Sequence, residues 1–143
     1  MKILGIGDNV CDKYDHQKIM YPGGQSLNVA VYARKLGEEA GYIGVFGSDE
    51  VAEHIVATLN KLKVDISHCR YEEGTNGYAM VTHEDGDRIF LGSNRGGVLR
   101  VHPLRFSGED LDYIKGFDLI HTSNNSFLDD QLPLLKTAGV PSS

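Results

Sequence analysis

The sequence predicts an α/β fold carrying a small antiparallel insertion. Three observations lead there. Short apolar runs that read as buried strands alternate with stretches of helical spacing. An Asp-Gly pair stands between two strand-like runs in the middle of the chain, a hairpin signal. Glycine is abundant: 17 of 143 residues, or about 12% against roughly 7% on average, which suits tight turns and close backbone approaches.

The elements follow in order. Lys2 to Ile6 is a short apolar run ending in Gly7-Asp8 and reads as a buried strand. A polar loop is expected next. Lys18-Ile19-Met20-Tyr21 predicts a second short strand, broken by Pro22-Gly23-Gly24. Between Ser26 and Leu36, the residues Leu27, Ala30, Val31 and Ala33 fall near helical spacing, and Gly37 is a natural stop. Tyr42 to Phe46 reads as another buried strand. Ser48 or Asp49 then caps a helix whose apolar stripe is Val51, Ile55, Val56, Leu59 and Leu62. Acidic residues near its start and Lys61 and Lys63 near its end suit the macrodipole.

Tyr78 to His83 and Arg88 to Gly92 read as two strands around Glu84-Asp85-Gly86-Asp87. Ser107-Gly108-Glu109-Asp110 fits a capping box opening a helix to about Lys115. Phe117 to Thr122 predicts a strand and Leu128 to Ala138 a helix, stopped by Gly139. Pro133 conflicts with that helix unless the helix starts near it. Val140 to Ser143 reads as a connection that stops where another strand should begin. There is no internal repeat or low-complexity tract.

Length and charge narrow the function. The chain makes about one domain. Its 14 Lys+Arg and 20 Asp+Glu leave a net charge of −6. That argues against nucleic acid and against an anionic membrane surface as partners. Cys11 and Cys69 form no CxxC pair and suggest reduced thiols. The start lacks the apolar stretch of a signal peptide, and no run approaches the ~18 residues of a membrane span. The expectation is a soluble, cytoplasmic protein.

Two segments attract chemistry. Gly5-Ile6-Gly7-Asp8-Asn9-Val10-Cys11-Asp12 is no dinucleotide fingerprint: Val10 stands where a third glycine is needed, and two carboxylates would repel a pyrophosphate. This disfavours a nicotinamide-dependent oxidoreductase. Carboxylates past a strand's carboxyl end suit vicinal hydroxyls, since an ionised Asp accepts two hydrogen bonds from a diol. Asp8 and Asp12 can equally cap the loop backbone. In Gly23-Gly24-Gln25-Ser26-Leu27-Asn28 the glycines let backbone approach a ligand, the helix start offers free N–H groups, and Asn28 can present its amide there. The competing reading is an ordinary glycine turn before a helix. The six histidines lack zinc spacing, so no metal site is assigned. The serines lack a nucleophile-elbow context, and no Walker-type loop occurs.

Together these signals resemble the N-terminal half of a ribokinase-like (pfkB-type) carbohydrate kinase. The carriers are Asp8-Asn9-x-x-Asp12, Gly23-Gly24-x-x-x-Asn28, Gly37 and Gly47. Val64-Asp65-Ile66-Ser67-His68 and the turn from Glu84 to Arg88 are also typical. Ser26 departs from the usual Gly, Ala or Pro, which touches local backbone fit. Within the family, residues 6–12 and 28–32 are most similar to fructoselysine 6-kinases.

The resemblance implies a central, mostly parallel sheet flanked by helices, with a small β lid formed by about residues 15–21 and 71–93. It implies that Asp12, with Asp8 or Asn9, binds sugar hydroxyls, and that Gly23, Gly24 and Asn28 line the same pocket. Tyr78, on the lid, and Asn124, after the strand Phe117 to Thr122, are counted as further sugar contacts. The partner is then a small-molecule sugar or sugar-amine, with ATP and Mg²⁺ as cofactors of the full-length protein. The family's second half carries a Gly-Ala-Gly-Asp motif, whose Asp is the catalytic base; residues 1–143 lack it. The expectation is therefore the substrate-side part of one domain, inactive alone, with no catalytic residue in this chain. The alternative is a stand-alone, non-catalytic sugar-binding or dimerisation module. The apolar lid hairpin predicts a homodimer through the lid, because a two-stranded ribbon needs cover.

Overall fold

The computed structural model describes residues 1–14 and 19–143. Its centre is β1 (Lys2–Ile6), paired in parallel with β4 (Glu39–Ile43) on one side and β9 (Leu119–His121) on the other. Alternation along these strands sends side chains to two cores. Leu4, Ile6 and Ile43 join one core, with Ile114 and Leu135 from α4 (Gly108–Ile114) and α5 (Leu132–Lys136). Ala40 and Tyr42 join the other, with Leu27 and Ala30 from α1 (Gln25–Lys35) and Ile55 and Leu59 from α2 (Glu50–Lys61). Gly5 faces α1 so closely that a Cβ on it would lie 2.0 Å from the Ser26 carbonyl oxygen. The layers are those of an α/β fold, with a parallel sheet buried between helices.

A second sheet has the order β3-β2-β7-β8. It comprises β2 (Val10–Tyr14), β3 (Ile19–Gly23), β7 (Tyr78–Glu84) and β8 (Asp87–Ser93). β2 pairs antiparallel with β3 and parallel with β7. The β7–β8 hairpin turns at Asp85 and Gly86, both at positive φ (51° and 84°). That is the backbone of a type I′ turn, which Asp-Gly favours. A short parallel pair, β5 (Val45–Phe46) with β6 (Arg70–Tyr71), and a single-turn helix α3 (Val98–Val101) complete the elements.

The caps expected for α2 and α4 form. Asp49 accepts from the Ala52 N–H at 3.1 Å and so caps α2. Ser107 and Asp110 form the capping box of α4. Gly37 and Gly139 take positive φ just past α1 and α5.

Four expectations are corrected. The predicted polar loop after Asp8 holds strand β2, because two neighbouring strands satisfy its backbone despite Asp12 and Lys13. The single strand from Tyr42 to Phe46 divides at Gly44 into β4 and β5, and β4 begins earlier, at Glu39. The predicted helix from Leu128 shortens to α5, with Pro133 in its first turn. The supposed connection from Val140 to Ser143 pairs with the free edge of β9. There the Ile120 N–H donates to the Pro141 carbonyl, and the Ser143 N–H donates to that of Ile120, each at 3.0 Å. The expected lid piece at 15–21 falls partly outside the described residues; from Ile19 onward it is β3. No helix among the described residues is long and apolar enough to cross a membrane.

Candidate functional site

A cleft of about 860 Å³ opens between the carboxyl end of β1, the start of α1 and the inner face of the second sheet. Asp8, Asn9, Asp12, Gly23, Gly24, Asn28 and Tyr78 all line it. Chain order alone does not unite them. β1 delivers Asp8 and Asn9, the pairing of β2 with β3 and β7 delivers Asp12 and Tyr78, and α1 delivers Asn28 one turn in.

These residues divide into two groups. Asp8 is buried, and its carboxylate accepts from the Gln25 N–H (2.9 Å), the Ser26 N–H (3.0 Å) and the Ser123 hydroxyl (2.8 Å). Burial pushes its pKa up, but the amide and hydroxyl bonds outweigh burial and hold it below the ordinary carboxylate value. Asp8 thus caps α1 from another element, where the helix dipole favours an anion. Asn9 is buried too. Its amide donates to the Tyr42 hydroxyl (3.0 Å) and the Val45 carbonyl (3.1 Å), and its oxygen accepts from Asn76 (2.9 Å). Asp8 and Asn9 therefore build the floor. The N–H groups of Gln25 and Ser26, expected to be free for a ligand, are both taken by Asp8.

Asp12 and Asn28 form the second group. One Asp12 oxygen accepts from Arg88 on β8 at 2.9 Å, and its side chain remains partly open. The other oxygen has no hydrogen-bond partner among the described residues, nor does the Asn28 side-chain amide. Both groups are half-buried, in the cleft, and carry unspent hydrogen-bonding capacity, which is the property that hydroxyl recognition requires. Gly24 holds φ 106°, and a Cβ there would lie 2.9 Å from the Asp8 carbonyl oxygen, so a glycine is needed where β3 meets α1.

Asn124 lies outside the cleft lining, and Asn125 lies within it. The turn of 123–126, closed by the Ser126 N–H on the Ser123 carbonyl (3.2 Å), presents the second asparagine and Phe127 instead of the first. Sequence reasoning also missed Tyr32, Arg88, Phe90 and Arg95 as lining residues. Tyr32 had a signal, since it follows Asn28 by one helical turn. The other three depend on hairpin register and on the turn after β8.

The comparisons fit this architecture. Residues 7–138 match the pfkB family carbohydrate kinase profile. The chain is 47% identical over 136 residues to fructosamine kinase FrlD of Bacillus subtilis (strain 168), covering 94% of this chain and 48% of that protein. It is 34% identical over 140 residues to fructoselysine 6-kinase of Escherichia coli (strain K12), covering 97% and 52%. Among solved structures, it superposes on a fructokinase from Xylella fastidiosa with a TM-score of 0.78 at 21% identity, covering 99% of this chain and 49% of that one. It superposes on an Arabidopsis thaliana ribokinase, solved with ribose and ATP, with a TM-score of 0.76 at 19% identity, covering 99% and 51%. The fold is ribokinase-like. The chain spans about half the length of the curated relatives it matches. With a family match across most of its residues and this cleft at the end of β1, the chain belongs to the pfkB family of carbohydrate kinases.

Proposed function

We propose that the full-length protein phosphorylates a hydroxyl of a fructosamine, using ATP, and that residues 1–143 are its substrate-side half. The observation that carries this reading is the pairing of Asp12 and Asn28 across one cleft, each with hydrogen-bonding capacity unspent. The 47% identity to a fructosamine kinase supports that substrate class. Asp12 accepts hydrogen bonds from adjacent sugar hydroxyls, and Asn28 both donates and accepts. Gly23 leaves room beside them, since a Cβ there would meet only the Val10 carbonyl oxygen, at 3.9 Å. The second sheet, with the β7–β8 hairpin at its edge, is the lid.

In the transfer, the sugar oxygen bonds to the terminal phosphorus of ATP while the bond to the bridging oxygen breaks and ADP leaves. These residues orient the sugar, which supplies a large part of catalysis in phosphoryl transfer. The hydroxyl proton passes to a base that this reading places in the second half. Among the described residues no three His, Cys, Asp or Glu side chains are grouped to hold a metal ion, so no residue here is assigned to Mg²⁺. Both cysteines are free thiols, which supports a cytoplasmic setting. On β8, Leu91 is 61% exposed on the outermost strand, which supports a homodimer through the lid.

The test is ATP turnover by the full-length protein across fructoselysine, fructose, ribose and nucleosides. The reading expects the highest kcat/KM on fructoselysine. A higher value on free fructose or on a nucleoside overturns the substrate class.

A further inference from the structure

Four non-glycine residues among those described take positive φ: Lys63, Asp85, Arg95 and Phe127. Two have local explanations. Lys63 follows the end of α2, and Asp85 makes the hairpin turn. Arg95, at φ 55°, occupies a central position of the turn from Asn94 to Gly97, where Gly, Asn or Asp is favoured. Phe127, at φ 57°, is a bulky residue in the same unfavourable region. Both line the cleft. Strained positions that persist because their surroundings enforce them cluster at active sites and ligand clamps.

The surroundings do enforce them. Asn94 accepts from the Tyr78 N–H (2.9 Å) and donates to the Asn76 carbonyl (2.8 Å), which pins the turn to β7. Next to Arg95, a Cβ on Gly96 would lie 3.1 Å from the Phe127 ring, so that glycine lets the ring lie against the turn. The two residues are therefore neighbours at one end of the cleft. Their chemistry differs from that of the Asp12 region. Arg88 is already neutralised by Asp12. The Arg95 guanidinium has no hydrogen bond or ion pair among the described residues. An unpaired guanidinium and an aromatic ring lining the same cleft suit a planar anion at the end of an apolar stem, because the guanidinium fork matches a carboxylate with two parallel bonds.

We propose that Arg95 sets substrate specificity by binding the carboxylate of an amino acid joined to the sugar through its amine, with Phe127 packing on the methylenes between. This rests on the fructosamine reading above and adds to it which part of the conjugate is recognised, and by what. Free fructose leaves the guanidinium unmatched.

The experiment compares kcat/KM of the full-length protein on fructose joined to the side-chain amine of lysine with that on the same conjugate of lysinamide. The two differ only in carboxylate against carboxamide. Charge-assisted bonds of this kind predict a preference for the carboxylate of about tenfold or more, expressed mainly in KM. In Arg95→Gly the preference disappears. Glycine adopts φ 55° freely, so this variant keeps the turn and separates recognition from folding. Arg95→Lys retains part of the preference. An equal ratio of the two substrates in the wild type, or an unchanged preference in Arg95→Gly, overturns the proposal while leaving the fructosamine reading intact. Turnover of free fructose with neither conjugate accepted overturns both.

Discussion

Asp8→Asn is the most informative change to the floor of the cleft, because it keeps the shape and removes the charge. The Asp8 carboxylate holds the Gln25 and Ser26 N–H groups at 2.9 and 3.0 Å and the Ser123 hydroxyl at 2.8 Å. An asparagine offers one oxygen and turns an NH₂ toward a second donor. One backbone N–H at the start of α1 is then left without a partner, and the remaining bonds lose their charge assistance. Hydrogen bonds to charged groups contribute roughly 1.5–3 kcal/mol each, and the helix dipole up to about 2 kcal/mol in partly buried geometry. A loss of about 3–5 kcal/mol follows at neutral pH. Urea denaturation of the full-length protein and its variant measures it. The pH dependence supplies a second check. The folded pKa of Asp8 lies below its ordinary value of 3.8. Its stabilisation is therefore fully present above that value and is lost as pH falls through the folded pKa. The gap between wild type and variant should close below pH 3.8. A variant that unfolds with the wild-type midpoint but loses turnover would refute this reasoning, and Asp8 would then serve the substrate rather than the helix.

Three further outcomes are expected. Gly5→Ala drives a methyl group to 2.0 Å from the Ser26 carbonyl oxygen, so α1 must shift; thermal melting should show a loss at the upper end of the roughly 1–3 kcal/mol typical of overpacking. Leu91→Glu places a charge on the exposed edge strand of the lid, and light scattering at micromolar concentration should show a wild-type dimer and a monomeric variant; a monomeric wild type counts against the lid interface. Residues 1–143 expressed alone should show no sugar-dependent ATP turnover, and measurable turnover by that fragment would contradict the placement of the catalytic base elsewhere.

Much of the framework was legible because its signals are local. The caps at Asp49 and Ser107, the stop at Gly37 and the Asp-Gly hairpin each depend on a few adjacent residues. Strand β2 was not legible: Asp12 and Lys13 look like loop residues, and what makes them a strand is pairing with β3 on one side and with β7, far away in sequence, on the other. The α5 helix was overextended because apolar residues continue through a segment where Pro133 can sit only in the first turn. The site shows the same division. The motifs singled out Asp12, Asn28 and the glycine turn. They left open whether Asp8 binds or caps, and in the structure its carboxylate accepts from two N–H groups at the start of α1 and from the Ser123 hydroxyl. Arg88 arrives through the register of the hairpin. Arg95 and Phe127 depend on left-handed backbone that no propensity assigns to Arg or Phe. The step from Asn124 to Asn125 reflects how the turn at Ser123–Ser126 is wound, which spacing does not encode.

The central claim is that this cleft is the sugar site and that Asp12 grips the sugar. Steady-state kinetics of Asp12→Asn in the full-length protein, with fructoselysine and ATP and a parallel thermal melt, test it most directly. The substitution keeps one acceptor and removes the charge, and the Arg88 side of the pair it weakens is exposed, so the pair contributes only about 0–1 kcal/mol to stability. The account predicts a fall in kcat/KM of at least about tenfold with a melting temperature close to wild type. Wild-type kinetics in a variant that melts earlier would contradict it, and Asp12 would then be a strut between β2 and β8.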